Sequence, residues 1–228
     1  MSVHPSCRSG PRCLKACGEC VYLKITMTWH DIIRLHVAGP SGQGNDLVGL
    51  RWSDVPGSLS ELADRMNVSL DSQFPVEIAP SWRGARALPN LWGGRGNRIR
   101  IGVALVEKLS PEALEAVLAH ELAHLKCRHW ELLLLGSILA ALGGIAVGLA
   151  LKTPEVAGLI AGGMVLVGAF AAMSWAAEFE ADGVAARYVG RKTVRVMLRE
   201  LRERGFRRRP ELTHPTDGLR LKFLDSRD

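Results

Sequence analysis

The sequence predicts a mainly α-helical chain with a small β-sheet, an α+β class, interrupted by a two-helix transmembrane hairpin. Three observations carry this. Two long uncharged runs lie in the second half, a helix-periodic stretch precedes them, and short β-type segments precede that. The 228 residues are 47% hydrophobic and 23% charged, with a formal net charge of +6. At ~100–200 residues per domain the chain makes one domain, or at most two small ones. The apolar fraction excludes global disorder, and 24 Gly and 11 Pro without a period exclude a collagen-like chain. The mean hydropathy of +0.09 averages over two parts with different solvents.

Four segments follow in order. Residues 1–26 form a Cys-rich leader, either disordered or metal-binding. Cys7, Cys13, Cys17 and Cys20 are close enough to share a structural zinc, but only Cys17-x-x-Cys20 has paired-ligand spacing. Met27 is an alternative start. Residues 27–131 read as the first part of a globular domain. Leu47 to Trp52 reads as a strand. Ser58-x-x-Glu61 is a capping box opening a helix to about Asn67. Val76-Glu77-Ile78, between Pro75 and Pro80, reads as at most a short edge strand. Residues 89–97 form a glycine-rich loop, and Arg98 to Val103 a half-exposed strand. Ser110, Pro111 and Glu112 mark a helix start, from which Leu114, Val117, Leu118, Leu122 and Leu125 repeat at helical spacing.

Residues 132–177 are the hairpin. Leu132 to Leu151 is an uncharged run of 20 residues, and Val156 to Ala177 one of 22. A bilayer core of ~30 Å needs ~20 apolar residues in a helix, so each run spans once. Lys152-Thr153-Pro154-Glu155 is the tip. Gly144 and Gly148, and Gly158 and Gly162, have the four-residue spacing that lets helix backbones approach in lipid. The competing reading, a buried soluble hairpin, needs more surrounding protein than this chain has. Lys126 and Arg128 precede the first run, and Arg187, Arg191, Lys192 and Arg195 follow the second. Positive charge favours the cytoplasmic side, so both termini are expected there, with the chain in the plasma membrane. Residues 1–24 hold no apolar stretch of the ~7–15 residues a signal peptide needs.

The chemistry sits on the helix before the hairpin, in His120-Glu121-Leu122-Ala123-His124. Histidines at i and i+4 share a face and can hold one Zn²⁺. The intervening Glu121 sits beside the metal, where its carboxylate can take a proton from water. His129 is about 180° around a continuous helix from His120 and is expected to face away. The extended HExxHxxGxxH site is excluded, because Cys127 and Trp130 stand where it needs Gly and His. Residues 178–228 hold the better third ligand, in Glu178-Phe179-Glu180-Ala181-Asp182. A hairpin returns the chain to its starting side, which brings Glu178 to the histidine helix. Asp182, on the same face, would orient a ligand imidazole from behind. The alternative is a solvated acidic helix start, to which Glu180 is assigned.

HELAH, a double span, EFEAD and a late His214-Pro215 together resemble the HtpX-type membrane zinc metallopeptidases, relatives of the CAAX prenyl proteases. The resemblance covers roughly residues 84–228. It implies a gluzincin-like catalytic domain with His120, His124 and Glu178 as metal ligands and Glu121 as the catalytic base. In that family a His-Pro-x-x-x-x-Arg segment lies near the zinc. Here it is His214, Pro215 and Arg220, with His214 either a fourth ligand or an oxyanion donor, and Arg220 a further oxyanion candidate. On its own residues, His214 also fits a surface turn at Pro215 and Gly218. The family usually has two spans ahead of the catalytic helix. Residues 1–110 show no such run, so two spans are expected, and prenyl-peptide processing is not.

The expected function is zinc-dependent endopeptidase action on unfolded or membrane proteins at the cytoplasmic side, with strand Arg98–Val103 as a candidate edge for pairing an extended substrate. The alternative is a proteolytically inactive, membrane-anchored zinc-binding scaffold, in which Glu121 would have no task. Partners are a peptide or protein substrate and the lipid bilayer; the oligomeric state is left open. Residues 183–209 hold ten Lys/Arg against Glu200 and Glu203. Beside a span, that charge reads as a topology signal or anionic-lipid contact, and no nucleic acid is expected.

Overall fold

The structure, a computed structural model, describes residues 28, 48–51, 53–90, 96–150, 155–206 and 212–226, the side chains between 147 and 161 excepted. The four leader cysteines, Met27, Lys152, Pro154 and residues 91–95 of the glycine-rich loop lie outside them.

The sheet forms where short apolar segments can share one buried face. Its strands are β1 (Val48–Leu50), β2 (Val76–Ala79), β3 (Ala85–Leu88) and β4 (Arg98–Gly102). Their order is β1-β2-β4-β3, with β2 and β4 parallel and both outer strands antiparallel. Two expectations are corrected here. Val76–Ile78 is not an edge: β2 is central and fully buried. Pro75 and Pro80 flank it without removing a ladder donor, and Pro75 O accepts from Ile99 N at 3.0 Å. The strand at Arg98 is not an edge either, because β4 lies between β2 and β3. The edges are β1 and β3, and the sequence of β3, Ala-Arg-Ala-Leu, lacks the β-branched and aromatic residues that announce a strand.

Seven helices complete the described residues. The first, α1 (Gly57–Met66), starts before Ser58 with Pro56 at its cap position and no side-chain cap, so the Ser58/Glu61 box does not form. Asn67, at φ 54°, ends it. A short α2 (Val103–Lys108) replaces the end of the expected strand. Next, α3 (Pro111–Lys126) begins as its sequence dictates: Ser110 Oγ accepts from Ala113 N at 3.2 Å, and Pro111 fills the first turn. Glu200 then accepts from Ser110 N at 2.9 Å and from its hydroxyl at 2.6 Å, fixing this end to α6 (Arg191–Glu203). The last helix is α7 (Asp217–Asp225).

The hairpin is α4 (His129–Ala150) and α5 (Glu155–Val189), packed along each other. A Cβ built on Gly144 would lie 3.2 Å from Gly162 Cα, so these two glycines allow the backbones to touch. Both helices are long and apolar enough to cross a membrane, and little of either is buried. Leu132, Leu135, Leu139 and Leu142 on α4, with Met164 and Val165 on α5, face outward. A core helix of a soluble domain would not leave such a band bare. The single apolar core lies elsewhere. It joins Leu50, Ile78, Ile99 and Ile101 of the sheet to Leu59 and Met66 of α1, Leu114 and Leu122 of α3, and Val194 and Leu198 of α6. At ~1.5–3 kcal/mol per buried side chain, this core holds α3 against the sheet on one side and α5 and α6 on the other.

Candidate metal centre

Helix α3 turns His120 and Glu121 inward and leaves His124 half-buried at the cleft. Glu178 and Asp182, one turn apart on α5, are buried against them. The acidic motif is not a helix start, because α5 runs unbroken from Glu155 to Val189, so a dipole explanation does not apply to it. Ala181, with no exposed surface, lets α3 and α5 approach.

The ligand atoms of His120, His124 and Glu178 all lie within 4.8 Å of one another. His120 Nε2 is 3.1 Å from His124 Nε2 and 3.4 Å from Glu178 Oε2, and His124 Nε2 is 3.5 Å from Glu178 Oε1. Two imidazole nitrogens and a carboxylate, converging from a dry wall, fit a divalent ion of borderline softness with one position left open. Behind them, His120 Nδ1 is 2.9 Å from Asp182 Oδ1. Arg220, only 2% exposed, donates to Asp182 from Nε at 2.7 Å and from its terminal nitrogen at 2.5 Å, and its other terminal nitrogen is 3.4 Å from Glu178 Oε2. His214 Nε2 is 3.3 Å from Glu178 Oε1, and its Nδ1 is 2.8 Å from Thr213 Oγ1. Glu121 Oε2 accepts from the backbone N–H of Ala87, on β3, at 2.6 Å.

Burial and Arg220 both disfavour a proton on His120, but Asp182 and Glu178 outweigh them and raise it to about 9. Burial likewise works against the Arg220 charge, and Asp182, Glu178 and Asp217 hold it firmly protonated.

Residues 54–228 match the sequence profile of peptidase family M48. The chain belongs to that family. A metallopeptidase described as plastoglobule-localized metallopeptidase 48, chloroplastic, from Arabidopsis thaliana, is 35% identical over 91 residues, which cover 38% of this chain and 24% of that protein. The crystal structure of S. mikatae Ste24p has a similar fold, with a TM-score of 0.58 at 20% identity over 85% of this chain and 54% of that one. The M48 chain therefore spans about a quarter of that relative and about half of the solved chain. The membrane-metallopeptidase family drawn from the motifs and the mainly helical fold with a small sheet both hold.

In the M48 chain the metal-site residues open on a cleft of about 460 Å³. One wall is β3 with Trp82 and Arg83; the other is the base of the hairpin, with Trp130, Leu133, Phe170 and Ser174. Ser174 Oγ is buried there without a hydrogen-bond partner among the described residues. The chain brings together all the residues singled out in its sequence: His120, Glu121, His124, Glu178, Asp182, His214 and Arg220. His214 is thereby drawn to Glu178 and is not a free surface-turn residue. Arg220, almost fully buried at the back of the cleft, meets the carboxylates of Asp182 and Glu178.

One expectation is reversed. His129 does not face away from the site: its Nδ1 is 2.8 Å from His124 Nδ1. The 180° offset holds only for a continuous helix, whereas α3 ends at Lys126 and Arg128 turns the chain at φ 55° before α4 starts. Glu180, expected merely to be solvated, lies 3.3 Å from His129 Nε2. The signal for this pairing was three polar residues, Cys127, Arg128 and His129, interrupting two apolar helices.

Proposed function

We propose that this M48 chain is a membrane-integrated endopeptidase that uses one zinc ion, held by His120, His124 and Glu178. The observation that carries the reading is the convergence of these three donors in a cleft that also holds Glu121. A zinc ion there would supply Lewis acidity to a substrate carbonyl and acidify water. Glu121 is the base: it takes the proton from the attacking water and passes it to the leaving amine. Its hydrogen bond to Ala87 N–H places it between the metal donors and the sheet edge. The free edge of β3 borders the cleft and suits an extended substrate backbone, taking the task first assigned to the strand at Arg98. Backbone pairing of this kind favours unfolded segments or loops of membrane proteins. His214, part-exposed beside Glu178, either completes the ligand set or donates to the developing oxyanion. Asp182 fixes the His120 tautomer, and Arg220 holds Asp182 and Glu178 in place.

The test is metal content and casein or self-cleavage by detergent-purified protein, wild type against Glu121→Gln, with and without chelator. The variant should keep its metal and lose about 10²–10⁴-fold in rate. Undiminished cleavage by Glu121→Gln would sink the mechanism. Metal-loaded wild type with no chelator-sensitive cleavage would favour the scaffold reading.

Flanking Lys and Arg support a cytoplasmic active site and cytoplasmic termini in the plasma membrane. The Arabidopsis relative's name points to a plastid compartment instead, so fractionation of tagged protein decides which membrane holds this chain.

A further inference from the structure

Each ligand imidazole needs its second nitrogen held, because that contact sets the tautomer and the ring angle. His120 has Asp182 for this purpose. Among the described residues the hydrogen-bond partner of His124 Nδ1 is no carboxylate but His129 Nδ1, at 2.8 Å. The His129 side chain is 2% exposed, and its ring meets that of His124 edge-on at 4.9 Å between centroids. The turn at Arg128 is what folds it back over α3.

Two imidazole nitrogens at this distance need one hydrogen between them, so one donates and the other accepts. The nitrogen of His124 that faces His120 and Glu178 is Nε2. If that atom gives its lone pair to a metal, the ring proton of neutral His124 is on Nδ1 and is donated to His129 Nδ1. His129 then carries its own proton on Nε2, which is 3.3 Å from Glu180 Oε2. Every atom in the series has one consistent role.

We propose that His129 is a positioning residue for the metal ligand His124, and that Glu180 positions His129. This rests on the zinc reading given above. It also resolves a second donor cluster. Cys127, His129 and Glu180 have ligand atoms within 4.8 Å of one another, so they resemble a further metal site. A metal there would need the lone pair of His129 Nε2, placing that ring's proton on Nδ1. Two N–H groups would then oppose each other across 2.8 Å. Filling the catalytic site therefore excludes a metal on His129, and these two donor clusters together should hold one zinc, not two.

The test is zinc affinity by competition with a chromophoric chelator, and stoichiometry, on full-length detergent-purified protein. With Cys7, Cys13, Cys17 and Cys20 replaced by Ser, so that the leader cannot hold an ion, the chain should bind one zinc. His129→Leu should bind about 10–100-fold more weakly. His129→Asn, whose side-chain oxygen can accept from His124 Nδ1, should stay close to wild type. A merely space-filling role would make Leu the better replacement. Glu180 is exposed, so Glu180→Ala folds whatever happens at His129 and should weaken zinc severalfold. Unchanged affinity in His129→Leu or Glu180→Ala, Asn as poor as Leu, or two zinc ions per chain lacking the leader cysteines would each overturn the assignment. Wild type binding no zinc at all would overturn the catalytic reading itself and this inference with it.

Discussion

At the scale of single residues, the largest electrostatic commitment is Arg220. It is buried, and it faces Asp182 twice, Glu178 at 3.4 Å and Asp217 at 3.8 Å. Removing one member of a buried charge network leaves the others uncompensated, at ~3–5 kcal/mol. Arg220→Met should therefore lower the stability of the metal-free protein by about that much in thermal or denaturant unfolding. Arg220→Lys should recover little, because an ammonium cannot reproduce the forked contact with Asp182. A Met variant within about 1 kcal/mol of wild type would remove the network from the account of stability. A second expectation concerns pH. His120 holds a proton up to about 9 in the metal-free site, raised from its ordinary 6.5. Its contribution to metal-free stability is complete below about 6.5 and is lost as the pH rises through about 9. Zinc must displace that proton, so zinc affinity should rise about tenfold per pH unit from 7 towards 9 and flatten above. A flat profile between 7 and 9, by chelator competition, would show that no such proton is released. The residues legible in the sequence, His120, Glu121, His124, Glu178 and Asp182, are those whose placement follows from i,i+4 spacing plus a hairpin. His129 was not, because its position depends on a positive φ at Arg128, a residue with no special tendency to adopt it.

At the scale of elements, the helices were more legible than the strands. Ser110-Pro111 announces α3, and two uncharged runs announce α4 and α5, because helix caps and bilayer length are local properties. Strand order is not local. The prolines around β2 suggested an edge, but their position outside the ladder leaves it central, while the plain Ala-Arg-Ala-Leu segment takes the edge. The register makes that edge testable. Gly102 N donates to Gly84 O at 2.8 Å, so the hydrogen-bonded pairs of β3 and β4 include Arg86 with Arg100, and Ala87 is in a wide position. Its N–H therefore points away from β4, to Glu121. Proline is tolerated where an edge strand's N–H faces outward. Ala87→Pro should keep the fold and the metal, yet lose the contact that places Glu121. Cleavage should fall at least tenfold at unchanged zinc content. Full activity would mean that β3 does not set Glu121.

At the scale of the whole molecule, the two parts of the chain meet only because the hairpin closes. The candidate donors His120 and His124 lie on α3, before the two apolar stretches, and Glu178 lies on α5, just past the second stretch. Gly144 against Gly162 sets how closely α4 and α5 run, and α5 continues past the apolar stretch as one rod that carries Glu178 and Asp182 to α3. The bare apolar band lies on this hairpin, away from the packed core that holds α3 against the sheet. An ion in the site would thus tie α3 to α5 at the end of the apolar stretch. Binding that selects the folded arrangement adds stability by mass action, about 4 kcal/mol at a thousandfold excess over the dissociation constant. Zinc should accordingly raise the unfolding temperature of detergent-solubilised protein, and chelator should return it to the metal-free value. In Glu178→Gln the two histidines remain on one helix, so an ion held by them alone no longer links α3 to α5. The zinc-dependent rise should largely vanish there, even at zinc concentrations that still fill the histidine pair. A rise as large in Glu178→Gln as in wild type would mean that the ion stabilises α3 alone and that the hairpin does not deliver the third ligand.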